Sequence, residues 1–182
     1  YLGDAEKSAA AFDEEGFLIT GDAVRFVNPD DPDRGLIFDG RVSEDFKLLT
    51  GTWVQAGRLR LDALEQLRGL VQDVVVCGHD RGEIGLFIFP KPGQVHGDTT
   101  SEGAVIDPEL QSAIESRLRD MAKAATGSAK RITRAIILAE PPSLKDSEMT
   151  DKGSLNVRKI ITRRADLLER LYDNEDPALI RV

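Results

Sequence analysis

Apolar positions in this chain come in short runs set off by turn-forming residues. Residues 1–15 are polar and alanine-rich, a helix or a surface stretch. Phe17-Leu18-Ile19-Thr20 reads as a short strand ending at Gly21-Asp22. Val24 to Val27 and Leu36-Ile37-Phe38 flank a segment, Asn28 to Gly35, dense in Pro, Asp and Gly. That arrangement predicts a hairpin. A second short hairpin is predicted from Phe46 to Leu49 and Trp53-Val54, around Thr50-Gly51-Thr52. Leu61, Leu64 and Leu67 share one side of a helix over 58–68. Val71 to Cys77, rich in β-branched residues, and Ile84 to Phe89, stopped by Pro90, are joined by a turn from Gly78 to Gly82 and read as buried strands. Residues 91–106, with Gly, Pro, Thr, Ser and His, are expected to form a mobile loop.

Asp107-Pro108 is a helix start, a capping side chain followed by proline in the first turn. Leu110, Ile114, Leu118 and Met121 then recur at helical spacing, and Gly127 ends the element. Ile132 to Leu138 is a third strand, closed by Pro141-Pro142. After a charged, Ser-containing loop over 143–156, Asn156 caps a last helix with Val157, Ile160, Ile161, Leu168 and Leu171 facing inward. The order predicts an α+β fold: a β-hairpin and a three-stranded sheet covered by helices, preceded by a β-rich segment.

Composition narrows the function classes. Of 182 residues, 41% are hydrophobic and 31% charged, enough apolar content for a packed core. The net charge of −8 repels phosphate backbones, so nucleic acid is not the expected partner. No apolar run reaches the roughly 18–20 residues that cross a bilayer, so no membrane partner is expected. Asp4, Glu6, Lys7, Asp13 and Glu14 leave no apolar block for a signal peptide in the first fifteen residues. The single cysteine, Cys77, excludes an internal disulfide and agrees with a reducing, cytoplasmic location. It lies in an apolar run and reads as core rather than nucleophile. His79 and His96, the two histidines, lack metal-ligand spacing. Tyr rather than Met at position 1 makes the chain read as part of something longer.

Three segments carry candidate chemistry. Thr20-Gly21-Asp22 exposes a carboxylate on a turn, able to accept from vicinal ribose hydroxyls; the alternative is an ordinary turn aspartate. Gly40-Arg41-Val42-Ser43-Glu44-Asp45-Phe46-Lys47, with Gly51 downstream, combines a flexible position with planar and point-charge cations; the alternative is a charged linker. Thr150-Asp151-Lys152-Gly153-Ser154-Leu155-Asn156-Val157-Arg158-Lys159 presents an ammonium in a loop before a helix; the alternative is a solvated loop. Arg158 and Lys159 at the helix start oppose the helix dipole, which mildly favours an anion nearby.

In their order these segments resemble the adenylate-forming (AMP-binding) enzymes. Tyr1-Leu2-Gly3-Asp4 followed by Ala11 to Asp22 is similar to their Y…F…DGW…TGD motif, and Gly40-Arg41 through Gly51 to their hinge motif. Val71 to Val76 and Gly85 to Ile88 resemble their strands, and Lys152 to Arg158 their C-terminal lysine motif. The wording from Phe38 to Val54 most resembles feruloyl-CoA synthetase, an aryl-acid:CoA ligase. The resemblance implies that residues 1–41 are the tail of a large N-terminal adenylation domain and 42–182 a mobile C-terminal domain. It implies ATP with Mg²⁺, an aromatic carboxylic acid and CoA as reactants, the absent N-terminal domain as partner, and allows a homodimer. Carried over by position, Asp22 and Arg41 would meet the ATP or AMP ribose and phosphate, and Ser43 would be the hinge pivot, where the family has Asp or Lys. Lys47 and Gly51 would belong to the hinge motif and pantetheine tunnel. Lys152 would be the catalytic cation, displaced across Gly153 from the family's Gly-Lys order. A non-catalytic interaction domain, and an acyl-adenylate ligase that does not use CoA, are the rival readings.

Overall fold

The computed structural model describes residues 2–182. Tyr1, which opens the first resembling motif, lies outside the described residues. The chain divides into two compact units, Tyr1–Ser43 and Glu44–Val182.

In the first unit, α1 (Ala5–Ala10) is capped by Asp4, whose carboxylate accepts from the Lys7 N–H at 2.8 Å. Phe17 to Thr20 is not the expected strand. Asp13 Oδ1 accepts from the N–H groups of Glu15 and Phe17 at 3.0 and 2.8 Å. This side-chain turn folds the segment back, leaving one bridge between Phe12 and Leu18. β1 (Asp22–Phe26) and β2 (Leu36–Arg41) form the expected antiparallel hairpin, longer at its open end than the apolar pattern showed. The register pairs Val24 with Phe38 and Phe26 with Leu36. Cross-strand partners share a face, so these four form one apolar face, and all four are exposed.

The second unit opens with the small hairpin β3 (Phe46–Lys47) and β4 (Trp53–Val54). There follow α2 (Ala56–Gln66), β5 (Val71–Cys77), β6 (Ile84–Pro90), β7 (Asp98–Thr99), β8 (Val105–Ile106), α3 (Pro108–Ala124), β9 (Ile132–Ile137), α4 (Val157–Arg163), α5 (Ala165–Tyr172) and β10 (Ile180–Arg181). The main sheet runs β10-β9-β6-β5; β6 and β9 are parallel and the outer pairs antiparallel. The expected three strands thus become four. β10 is a two-residue edge strand, too short to leave a periodic signal.

Strand residues alternate between two buried faces. Val74, Val76, Leu86, Ile88, Ala135 and Ile137 pack with Leu59, Ala63, Leu110, Ile114 and Leu118 of α2 and α3. Val75, Cys77, Phe87, Phe89, Ile136 and Leu138 pack with Ile160, Leu167 and Leu171 of α4 and α5. Burial on both sides explains why the stretches Val74 to Cys77, Ile84 to Phe89 and Ala135 to Leu138 are apolar at successive positions rather than alternating. Gly85 is required by this packing: a Cβ there would lie 2.6 Å from the Leu171 side chain.

Two further segments differ from expectation. Residues 91–106 contain the hairpin β7–β8 and are tied to Asp107, whose Oδ2 accepts from His96 and Gly97 N–H at 2.7 and 3.1 Å. Its Oδ1 caps α3 through Leu110 N–H at 3.0 Å. The last helix is broken at Arg164, which leaves helical geometry at φ −105°, ψ 36° while its side chain is drawn into the core.

Candidate functional site

The hairpin register of the first unit sets Asp22 opposite Arg41. Arg41 Nε lies 3.1 Å from Asp22 Oδ1. That oxygen is buried and accepts no aligned hydrogen bond among the described residues. Gly21 turns the chain into β1 at φ +71°, a conformation that strains residues with a Cβ, and its carbonyl accepts from Val42 N–H at 3.0 Å. Thr20 Oγ1 accepts from Asp22 N–H at 3.2 Å. The result is a carboxylate with acceptor capacity to spare beside a half-exposed guanidinium. That donor set fits a hydroxyl-bearing anion such as a nucleotide ribose and phosphate.

Ser43 is exposed on a short 3-10 turn, Val42–Glu44, and the division between units falls directly after it. In the second unit Lys47 pairs with Trp53 across β3 and β4, and its Nζ sits 5.7 Å from the centre of the indole ring. Gly51, at φ +81°, donates to Leu48 O at 2.8 Å, closing the hairpin tip. Phe46 and Leu48 are buried beneath it, while Leu49 and Trp53 are exposed. Asp45 Oδ1 accepts from Ala56 N–H at 3.0 Å and so fastens the hairpin to the start of α2.

Lys152 is exposed at a hairpin tip. Met149 bridges Leu155, Gly153 N–H donates to Thr150 O at 2.8 Å, and Thr150 N–H to Ser154 O at 2.8 Å. Gly153 takes φ +82°, which explains glycine after the lysine. Asn156 caps α4 as expected, its Oδ1 accepting from Lys159 N–H at 3.2 Å.

Beneath this turn lies a charge pair that the residue pattern did not bring forward. Glu148 is fully buried. Its Oε1 accepts from Arg164 Nε at 2.8 Å and Arg163 Nη1 at 3.1 Å. Its Oε2 accepts from Arg164 Nη2 at 2.7 Å and Ser143 N–H at 2.8 Å. Arg164 also donates to the carbonyls of Glu140 and Pro141, each at 3.0 Å. Burial opposes ionisation of Glu148, but the Arg164 and Ser143 hydrogen bonds outweigh it and bring the carboxyl down to about 2. A signal was present: Arg164 falls on the buried stripe of Ile160, Leu167 and Leu171, where an unpaired arginine would be costly.

Burial pushes the Cys77 thiol up to about 12, so it is no nucleophile near neutral pH. His79 pairs with Asp80 on an exposed turn. Among the described residues no group of three or more His, Cys, Asp or Glu side chains could hold a metal ion, and no helix is long and apolar enough to cross a membrane.

Residues 48–176 match the AMP-binding enzyme C-terminal domain family. Carboxylic acid reductase from Segniliparus rugosus is 26% identical over 176 residues, 94% of this chain and 14% of the reductase. The probable acyl-activating enzyme 16, chloroplastic, of Arabidopsis thaliana is 21% identical over 88% of this chain and 23% of its own length. The adenylation domain of the carboxylate reductase from Mycobacterium chelonae superposes with a TM-score of 0.70 at 26% identity, covering 94% of this chain and 25% of that one. The chain therefore spans a quarter or less of these relatives. The family match covers nearly the whole second unit, from the small hairpin to the segment after α5, and the chain belongs to the AMP-binding enzyme C-terminal domain family.

Proposed function

We propose that the chain is the C-terminal portion of an ATP-dependent acid:CoA ligase acting on an aromatic carboxylic acid of the feruloyl type. In the first half-reaction a substrate carboxylate oxygen attacks the α-phosphorus of ATP, and the bond to pyrophosphate breaks. In the second, a thiol sulfur attacks the acyl carbon, and the bond to AMP breaks. Asp22 accepts from the ribose hydroxyls and Arg41 stands beside it, facing ribose or phosphate. Lys152 supplies the cation for charge developing on the α-phosphate and carboxylate. Lys47 and Gly51 belong to the face used for thioester formation, and Ser43 is the pivot between the two arrangements. Mg²⁺ would arrive on the ATP phosphates. The exposed apolar face of the first hairpin supports its assignment to a larger domain that covers it. The family match over 48–176 carries the reading.

A second reading, an adenylation domain of a carboxylate reductase, is favoured by the 26% identical reductase relative over 94% of the chain. In that reading the chain would serve an acyl-adenylate-forming enzyme that does not use CoA. CoA-dependent release of AMP by the full-length enzyme separates the two.

The shared first step is tested at Lys152. In the full-length enzyme, Lys152→Ala should slow adenylation more than roughly tenfold, about 1.4 kcal/mol of barrier. Thioester formation from pre-made acyl-adenylate should change far less. Arg158→Ala, which removes a neighbouring charge, should show no selective loss of the first step. Equal adenylation by Lys152→Ala and wild type would remove Lys152 from the site.

A further inference from the structure

Lys152 is exposed, and its long side chain has many rotamers. Any precision in presenting its ammonium must come from the backbone of its turn. The turn closes on itself through the bonds of Thr150 with Gly153 and Ser154, and it is attached to the rest of the unit at its neck. Glu148 N–H donates to Ser143 O at 2.9 Å, and Glu148 O accepts from Asn156 N–H at 2.8 Å. Glu148 thus joins both strands of the neck, and its side chain is held from below by Arg164 at the break between α4 and α5. The pair is almost solvent-free, 0% exposed for the Glu148 side chain and 5% for Arg164.

Burying an ion pair gives little net stability, because desolvation offsets attraction, and apolar side chains of similar volume often serve as well. What the pair adds is direction. A guanidinium fork meets two carboxylate oxygens in one plane and one orientation, and here both oxygens are engaged at 2.7 and 2.8 Å. Arg164 is also fastened to the chain after β9 through Glu140 O and Pro141 O. The neck is therefore referenced to the sheet as well as to the helices.

We propose that Glu148 and Arg164 are positioning residues of the adenylation step, orienting the 149–155 turn so that Lys152 meets the reacting phosphate in one geometry. The inference deepens the Lys152 reading above and rests on it. A reacting group misplaced by about 1 Å can lose on the order of 10²-fold in rate, so a loosened neck should be visible kinetically even in a folded enzyme.

The test uses the full-length enzyme with Glu148→Gln, and with Glu148→Met combined with Arg164→Met. The second variant replaces the pair by apolar side chains and preserves folding if the single change does not. Circular dichroism and thermal unfolding select the variants that fold. Expected are a loss of about tenfold or more in adenylation kcat, a smaller change in KM for ATP, and thioester formation from pre-made acyl-adenylate within about twofold of wild type. A merely structural role would slow both half-reactions alike. In the Lys152→Ala background, the same changes should cause no further loss, because there is no cation left to position. Wild-type adenylation in the folded clamp variants beside an impaired Lys152→Ala enzyme would overturn this inference alone. So would losses that add fully to that of Lys152→Ala. Wild-type adenylation by Lys152→Ala would overturn the site reading and the inference together.

Discussion

In the second unit, every long strand of the sheet is buried on both faces, by α2 and α3 on one side and α4 and α5 on the other. In the first unit, the apolar face of the β1–β2 hairpin is open: Val24, Phe26, Leu36 and Phe38 are 54, 46, 58 and 49% exposed. The two charged pairs singled out above differ in the same way. Glu148 and Arg164 are enclosed, whereas Asp22 and Arg41 are 32 and 55% exposed in their side chains. An enclosed pair can orient a neighbour through its own rigidity. A pair on an uncovered hairpin depends for its order on what covers the hairpin, since an isolated two-stranded ribbon is marginal in water. The proposed ligand for ribose and the proposed cation for phosphate are therefore built on supports of unequal stiffness.

The strongest way to break this comparison is to separate the units. A fragment of residues 44–182 should fold cooperatively, since the two apolar clusters of the sheet lie within it. A fragment of residues 1–43 should show no cooperative thermal transition by circular dichroism and no dispersed amide spectrum. Cooperative unfolding of the 1–43 peptide would mean that the open apolar face is not a covered one. Failure of 44–182 to fold would mean that the double-faced core is insufficient.

Removing a carboxylate from the stiff unit comes next in size. Glu148→Ala leaves Arg164 buried without its ionic partner, which typically costs about 3–5 kcal/mol. The pH dependence has a definite sign. Hydrogen bonds hold the Glu148 carboxyl at about 2, against an ordinary value of 4.5. Its contribution is therefore fully present above pH 4.5 and is lost as pH falls toward 2. Acid unfolding of the 44–182 fragment should begin inside that window, and Glu148→Gln should flatten the stability slope there. An acid slope identical in the two proteins would show that Glu148 titrates normally.

Much of the second unit was legible because buried strands announce themselves. Val71 to Cys77 appears in the fold with the expected bounds, and Asp107-Pro108 starts α3 where a cap followed by proline should. The departures share a cause: local polar contacts that carry no periodicity. Asp13 turns the Phe17 segment away from a strand, Asp107 gathers the 91–106 segment, and Arg164 breaks a helix whose apolar spacing reads straight through it. The candidate site divides in the same way. Asp22 and Arg41 were each singled out from sequence, but their pairing follows from a hairpin register that runs beyond the apolar run. Glu148 carries no such signal, because a glutamate in a charged loop looks solvated until its partner, sixteen residues on, is placed inside.

The smallest effect sharpens the comparison most, because it separates stability from binding within one residue. Asp22 makes an ion pair at 3.1 Å with a half-exposed arginine, and such pairs contribute about 0–1 kcal/mol. Asp22→Ala should therefore leave thermal stability of the full-length enzyme nearly unchanged. A ribose accepted by this carboxylate would lose a charged hydrogen bond worth roughly 1.5–3 kcal/mol. ATP affinity, measured calorimetrically or as KM in adenylation, should fall by about tenfold to a hundredfold, and both half-reactions should slow, since AMP stays bound through the second. Asp22→Asn keeps an acceptor oxygen without the charge and should lie between. A large drop in unfolding temperature with normal ATP binding would reverse the assignment, making Asp22 part of the scaffold of the first unit. Normal values for both would leave it an ordinary turn residue.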